Sequence, residues 1–252
     1  MNDIPLSDIR KMVFQAPPGD HPIPTIGNDE LIELKNENRT VKGLLSKAGR
    51  FLVVIFHGNA STMNREITPA SHFYSNNVST LLVEYPGYGL SSQFEASENN
   101  IYSDSESIVK YVQKKYGYDH KNTFLYGRSL GSGVAVEMAR RKLGSKLVLI
   151  TPFTSMPAVG QSLYPDVFSQ HPELIDMPDK FDNITKSKDI ELPVFMVHGD
   201  KDPTVPYEMA VALSKSFVNA RLITLKSAKH GDIYEDMDET TWKRMDDFLT
   251  GC

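Results

Sequence analysis

Eight apolar runs of strand length, spaced by longer segments of helical pattern, leave this chain little choice of fold class. The runs are residues 30–34, 41–45, 51–56, 80–84, 122–126, 146–150, 193–198 and 221–225. Stretches at about 64–76, 99–117, 130–142, 207–217 and 239–250 fit between and after them as helices. Strands that alternate with helices pair in parallel, each crossover helix covering one face of the sheet. The first two runs are expected as an antiparallel pair opening that sheet. In the last helix Trp242, Met245, Phe248 and Leu249 recur at three- and four-residue spacing, the mark of a face packed on a core. The expectation is an α/β architecture: a mostly parallel eight-stranded sheet with helices on both faces. A chain of 252 residues fits one such domain, here residues 29–252, preceded by a proline-rich lead-in, 1–28, expected to be irregular and to pack along the body.

The fifth run, Asn122–Tyr126, ends in Gly127-Arg128-Ser129-Leu130-Gly131, and the small and apolar residues that follow read as a helix. Strand, turn and helix with glycines flanking a serine describe a nucleophile elbow. The turn forces the serine into strained backbone angles, and glycine at its flanks keeps strand and helix from colliding. The segment Gly127–Gly133 lacks the lysine of a phosphate-binding loop.

A serine hydroxyl is a poor nucleophile without a base, and the base needs an acid to hold its tautomer. On this kind of elbow the acid and then the histidine follow the serine along the chain. Three histidines follow Ser129: His171, His198 and His230. His171 lies in a polar, proline-bearing stretch, and His198 closes a strand. His230 sits in the loop after the last strand, before Gly231, and is the expected base. For the acid, Asp200 and Asp202 compete within His198-Gly199-Asp200-Lys201-Asp202-Pro203. Asp202 lies further out and is the expected acid, while Asp200 suits a turn that bonds nearby backbone N–H groups. Alternatively, Asp202 caps the helix that starts near Tyr207.

Acyl transfer also needs donors aimed at a developing oxyanion. One is expected from the backbone N–H of Leu130, the other from Asn59, with Ala60 the next candidate, in His57-Gly58-Asn59-Ala60, straight after the third strand. The stretch from about 152 to 191 is too long for an ordinary connection and reads as a small lid over Ser129. Its Phe153, Met156, Leu163, Tyr164 and Phe168 are candidate lining for an open, modest-sized substrate pocket. Arg128 and Glu84 fall near the carboxyl ends of strands taken as neighbours. They are expected to form an ion pair, with an anionic headgroup as the alternative partner of Arg128.

Four segments in this order resemble the α/β-hydrolase superfamily, and within it the Bem46-like group that includes ABHD12, ABHD13 and ABHD17 proteins. They are His57–Ala60, Tyr85-Pro86-Gly87-Tyr88-Gly89-Leu90-Ser91, Gly127–Gly133 and His198–Asp202, with His230-Gly231-Asp232 standing where the group has His-Asn-Asp. The resemblance covers roughly residues 30 to 250. It implies the α/β-hydrolase fold and a serine hydrolase of esters or thioesters, of lipid or acylated-protein type, needing neither metal nor organic cofactor. Members of the group are often membrane-bound through an apolar N-terminal helix or a palmitoylated cysteine cluster, and Met1–Asp8 carries neither.

Composition narrows the partners. The formal net charge is −5 with no basic stripe, which argues against nucleic acid. No run approaches a membrane span and the first thirty residues lack a signal-peptide pattern, so the expected setting is the cytoplasm, with peripheral contact the only membrane association left open. The single cysteine, Cys252, rules out an internal disulfide and is expected to be a frayed terminal residue. Two rival readings keep the same residues: an amidase or small peptidase, whose amine-bearing substrate calls for carboxylates near the site, and a non-catalytic binding protein on a hydrolase fold.

Overall fold

Five central strands whose side chains are almost all buried set the frame: β3 (Leu52–Phe56), β4 (Ser79–Glu84), β5 (Thr123–Arg128), β6 (Lys146–Ile150) and β7 (Val194–Gly199). Runs buried on both faces belong to the middle of a parallel sheet covered by helices on each side. The computed structural model describes residues 5–18 and 22–251. Met1–Ile4 and Cys252 lie outside them. The sheet runs β1-β2-β4-β3-β5-β6-β7-β8, with β1 (Asp29–Asn36), β2 (Arg39–Ser46) and β8 (Ala220–Leu225) completing it. β1 pairs antiparallel with β2 and β2 with β4, and every later pair is parallel. The α/β-hydrolase architecture expected from the sequence is the one observed, to within two residues at most strand ends.

Helices α3 (Glu98–Tyr116), α4 (Leu130–Arg140) and α8 (Tyr207–Ser216) bury Ile101, Ile108, Val134 and Leu213 in the core on one face. Helices α2 (Ile67–Ser75) and α9 (Glu239–Thr250) bury Phe73, Met245 and Leu249 on the other. Local signals end these helices where the chain must turn. Ser97 accepts from Asn100 N–H at the start of α3, and Gly117 closes it at φ 78°. Asp238 and Gly251 do the same for α9, each in the role its chemistry favours.

Two expectations need correction. The lead-in is not all irregular, since Leu6–Val13 form a helix, α1. The helix expected from 64 opens as a 3₁₀ turn, Met63–Glu66, before α2 begins. The lid segment folds into short pieces, α5 (Met156–Leu163), α6 (Pro165–Gln170), a 3₁₀ turn at Pro172–Asp176 and α7 (Asn183–Lys186). Residues of α5, α6, the 172–176 turn and α1 line one cavity with Ser129, which follows the carboxyl end of β5, where ligands bind in open α/β sheets. Among the described residues no helix is long and apolar enough to cross a membrane.

Candidate active site

Ser129 stands at the junction of β5 and α4 with φ 50° and ψ −119°, a left-handed conformation that costs about 1–3 kcal/mol in a non-glycine residue. The glycines on either side make it possible. A Cβ on Gly127 would come within 2.2 Å of the Gly131 carbonyl oxygen, and one on Gly131 within 2.1 Å of the Phe56 carbonyl oxygen. Both obstacles are backbone, so neither can swing aside. Gly131→Ala is therefore expected to lower stability by about 1–3 kcal/mol or more, read as a drop in the urea midpoint. An unchanged midpoint would show that α4 and β3 are free to part.

The serine points at the histidine the sequence singled out. Ser129 Oγ lies 2.9 Å from His230 Nε2, and His230 Nδ1 lies 2.6 Å from Asp202 Oδ2. A carboxylate only accepts, so Nδ1 carries the ring proton and Nε2 presents a lone pair to the serine hydroxyl. Asp202 is fully buried, and its other oxygen accepts from the N–H groups of Thr204 and Val205 at 2.8 and 2.9 Å. Burial alone would raise this carboxyl. Hydrogen bonds from His198, His230 and the Val205 N–H outweigh it and hold the group well below the usual carboxylate range. Asp200 stands outside this line, but it does not bond its own turn as expected: its carboxylate accepts from Ser227 N–H at 2.6 Å, in the loop that leads to His230.

His198 has a role beyond closing its strand. Fully buried, its Nε2 lies 3.0 Å from the Val205 carbonyl and 3.3 Å from Asp202 Oδ2. Both neighbours are acceptors, so Nε2 carries the proton, and Asp202 sits between two histidines. Nothing in the His-Gly-Asp-Lys-Asp spacing signals this, because it depends on the loop closing back over the strand end. His171 is remote from the site, paired with Glu173 at 3.0 Å on the lid surface.

Asn59 and Leu130 both border the cavity beside Ser129, and neither N–H donates to a backbone carbonyl among the described residues. The loop that carries Asn59 is braced from below. Tyr85 hydroxyl donates to the His57 carbonyl at 2.9 Å, and Tyr88 hydroxyl donates to Asn59 Oδ1 at 2.6 Å. His57 stacks on Tyr85 with ring centroids 3.9 Å apart, and its Nε2 lies 3.0 Å from buried Glu84. The Tyr-Pro-Gly-Tyr segment, which enters the sequence reading only as part of a resemblance, thus supports the loop that carries Asn59.

The expected Arg128–Glu84 pair is not formed. β3 separates β4 from β5 in the sheet, so the two side chains do not start from neighbouring strands. Arg128 donates instead to buried Glu66 at 2.8 Å, whose second oxygen accepts from the Tyr234 hydroxyl at 2.5 Å. Tyr234 in turn accepts from Tyr126 at 2.9 Å. Burial and the Glu66 charge push both tyrosine hydroxyls well above their ordinary value. Arg128 does not border the cavity, which leaves it no anionic headgroup to meet there.

The cavity over Ser129 measures about 450 Å³, inside the range of roughly 300–1,000 Å³ usual for ligand sites. Phe153, Met156, Leu163, Tyr164 and Phe168 all line it, and so do Leu174 and Met177 from the rest of the lid. The opposite wall, from α1, went unnoticed in the sequence. Among the described residues the lining contains no Asp, Glu, Lys or Arg.

Comparison with known proteins follows the same lines. A family model described as serine aminopeptidase, S33, matches residues 47–172, and one described as TAP-like protein matches 175–251. Human alpha/beta hydrolase domain-containing protein 17B is 29% identical over 173 residues, covering 67% of this chain and 56% of that protein. The 17C protein of Xenopus tropicalis is 28% identical over 194 residues, covering 75% and 58%. The matched stretch therefore spans little more than half the length of these curated relatives. Among solved structures, the esterase Pf2001 of Pyrococcus furiosus aligns over 93% of this chain and 98% of its own with a TM-score of 0.77 at 19% identity. Est1E from Butyrivibrio proteoclasticus aligns over 87% and 99% with a TM-score of 0.66 at 17% identity. At such identities the likeness is one of fold. With a family model matching half of its length and relatives of the ABHD17 group along most of it, the chain belongs to the α/β-hydrolase family.

Proposed function

We infer that the protein is a serine esterase or thioesterase acting on neutral, apolar acyl groups. The observation that supports this reading best is the line Ser129–His230–Asp202 opening onto a cavity whose lining, among the described residues, holds no Asp, Glu, Lys or Arg. Ser129 Oγ attacks the acyl carbonyl carbon while its proton passes to His230 Nε2, and Asp202 steadies the imidazolium. The N–H groups of Asn59 and Leu130 receive the oxyanion. Collapse of the tetrahedral species breaks the bond to the alcohol or thiol, which takes the proton from His230. Water, deprotonated by the same nitrogen, then attacks the acyl-enzyme and releases the acid. A cytoplasmic setting belongs to the same reading, since one cysteine leaves no disulfide within this chain.

The rival is an aminopeptidase or amidase, the activity named in the description of the family model. A free ammonium needs a carboxylate partner once it leaves water. The lining supplies none, and Glu84 faces His57 instead. Leaving such a charge unpaired costs about 3 kcal/mol or more, so acyl esters and thioesters are expected to exceed aminoacyl amides by at least about a hundredfold in kcat/KM. A preference for the amides would overturn the assignment. The non-catalytic alternative gives no reason for a strained serine to meet a correctly polarised histidine.

A further inference from the structure

Both family-model matches lie beyond residue 46, yet the cavity above Ser129 is not complete without residues that precede it. Helix α1 contributes Ile9, Met12 and Val13 to the lining, and Gln15 follows just after. Positions three and four apart share a helix face, so α1 turns one apolar face to the cavity, with lid residues such as Met156 and Leu163 also lining it.

The other faces of α1 are tied down. Arg10 Nε donates to Asp179 Oδ2 at 3.0 Å, and its guanidinium also pairs with Glu95. Asp179 is buried and accepts from Glu98 N–H at 2.7 Å, which fixes it to the start of α3. At the far end Asn59 Nδ2 donates to the Val13 carbonyl at 2.7 Å, and Gln15 N–H donates to Asn59 Oδ1 at 2.9 Å. Phe14 meets Phe181 edge to face at 6.1 Å. An eight-residue helix does not hold itself together in water, so these contacts decide where it stands. They clasp Asn59, which borders the same cavity as Ser129.

We propose that α1 is the acyl-chain selector of the site: the acyl group lies between α1 and the lid, and Ile9 and Met12 set the length that is accepted. The proposal rests on the esterase reading above. Met12 is 41% exposed and stands at the solvent edge of the cavity, whereas Val13 is 6% exposed and closes it. Added bulk at Ile9 or Met12 shortens the space without touching Ser129, His230 or Asp202.

The test uses the full chain carrying Ile9→Trp or Met12→Trp, with unfolding midpoints taken alongside. The ratio of kcat/KM for a dodecanoyl ester to that for a butyryl ester is expected to fall at least about tenfold, as if two or more buried methylene contacts were lost. A second readout needs no turnover. In the Ser129→Ala background a dansylated undecanoic acid is expected to bind, and either tryptophan variant to weaken it at least about fivefold. Weakened binding of that probe with no ester turned over by wild type supports the selector and removes the esterase reading. An unchanged ester ratio together with unchanged probe affinity in both variants overturns the selector, as does failure of the probe to bind at all.

Discussion

Ser129→Ala is expected to abolish hydrolysis of activated esters to within a small residue, a fall of about a millionfold in kcat, or roughly 8 kcal/mol of barrier. The size follows from the geometry. Ser129 Oγ is held 2.9 Å from His230 Nε2, and among the described residues no other hydroxyl of the lining has a hydrogen bond to that ring. On the proposed mechanism, what remains would come from the N–H groups of Asn59 and Leu130 acting on water. Stability should hardly change, because among the described residues that contact with His230 is the one hydrogen bond of the hydroxyl, and a single such bond contributes about 1 kcal/mol. Alanine meets the same left-handed backbone penalty as serine. A variant that keeps a tenth of the activity would mean that the reaction does not pass through Ser129.

Asp202→Asn should cost about ten-thousandfold in kcat while leaving the nucleophile and base in place. The amide NH₂ would face two imidazole N–H groups, from His230 at 2.6 Å and His198 at 3.3 Å. His230 would escape the clash by moving its proton to Nε2, and the serine would then face a donor where it needs an acceptor. Stability carries a second signature. The folded Asp202 carboxyl lies below its unfolded value, so its contribution is fully present above the ordinary carboxylate range, near pH 4. It is lost as pH falls through the depressed folded value. The gap in unfolding midpoint between wild type and Asp202→Asn is therefore expected to be widest near neutrality and to close in acid. A gap that widened in acid, or activity within tenfold of wild type, would contradict the role given to Asp202.

How much of the fold and the site is legible in the sequence depends on how local each signal is. The parallel strands were legible because a strand buried on both faces has to be a short, nearly unbroken apolar run, as Leu52–Phe56 and Val194–Val197 are. The elbow was legible because a serine at positive φ needs glycines where a side chain would strike backbone, and Gly127 and Gly131 stand at those positions. Helix α1 was not. It begins after Pro5 in a proline-rich stretch, is only eight residues long, and takes its stability from Asp179, Glu95 and Asn59, far away in sequence. The ion pair of Arg128 was misread for a topological reason. Strand order in the sheet is not strand order along the chain, so Glu84 lies across β3 while Glu66, on the turn before α2, reaches the arginine. The clasp of two histidines on Asp202 was hidden for a similar reason, since His198 meets the acid only after the loop folds back.

The acyl-enzyme chemistry assigned to Ser129 is tested most directly by intact-mass analysis after treatment with a fluorophosphonate, which phosphonylates a serine only where a neighbouring base has activated it. Wild type is expected to gain the mass of a single adduct, and the Ser129→Ala protein none. A folded wild type that gains no mass, or an adduct that persists on the alanine variant, would contradict the assignment.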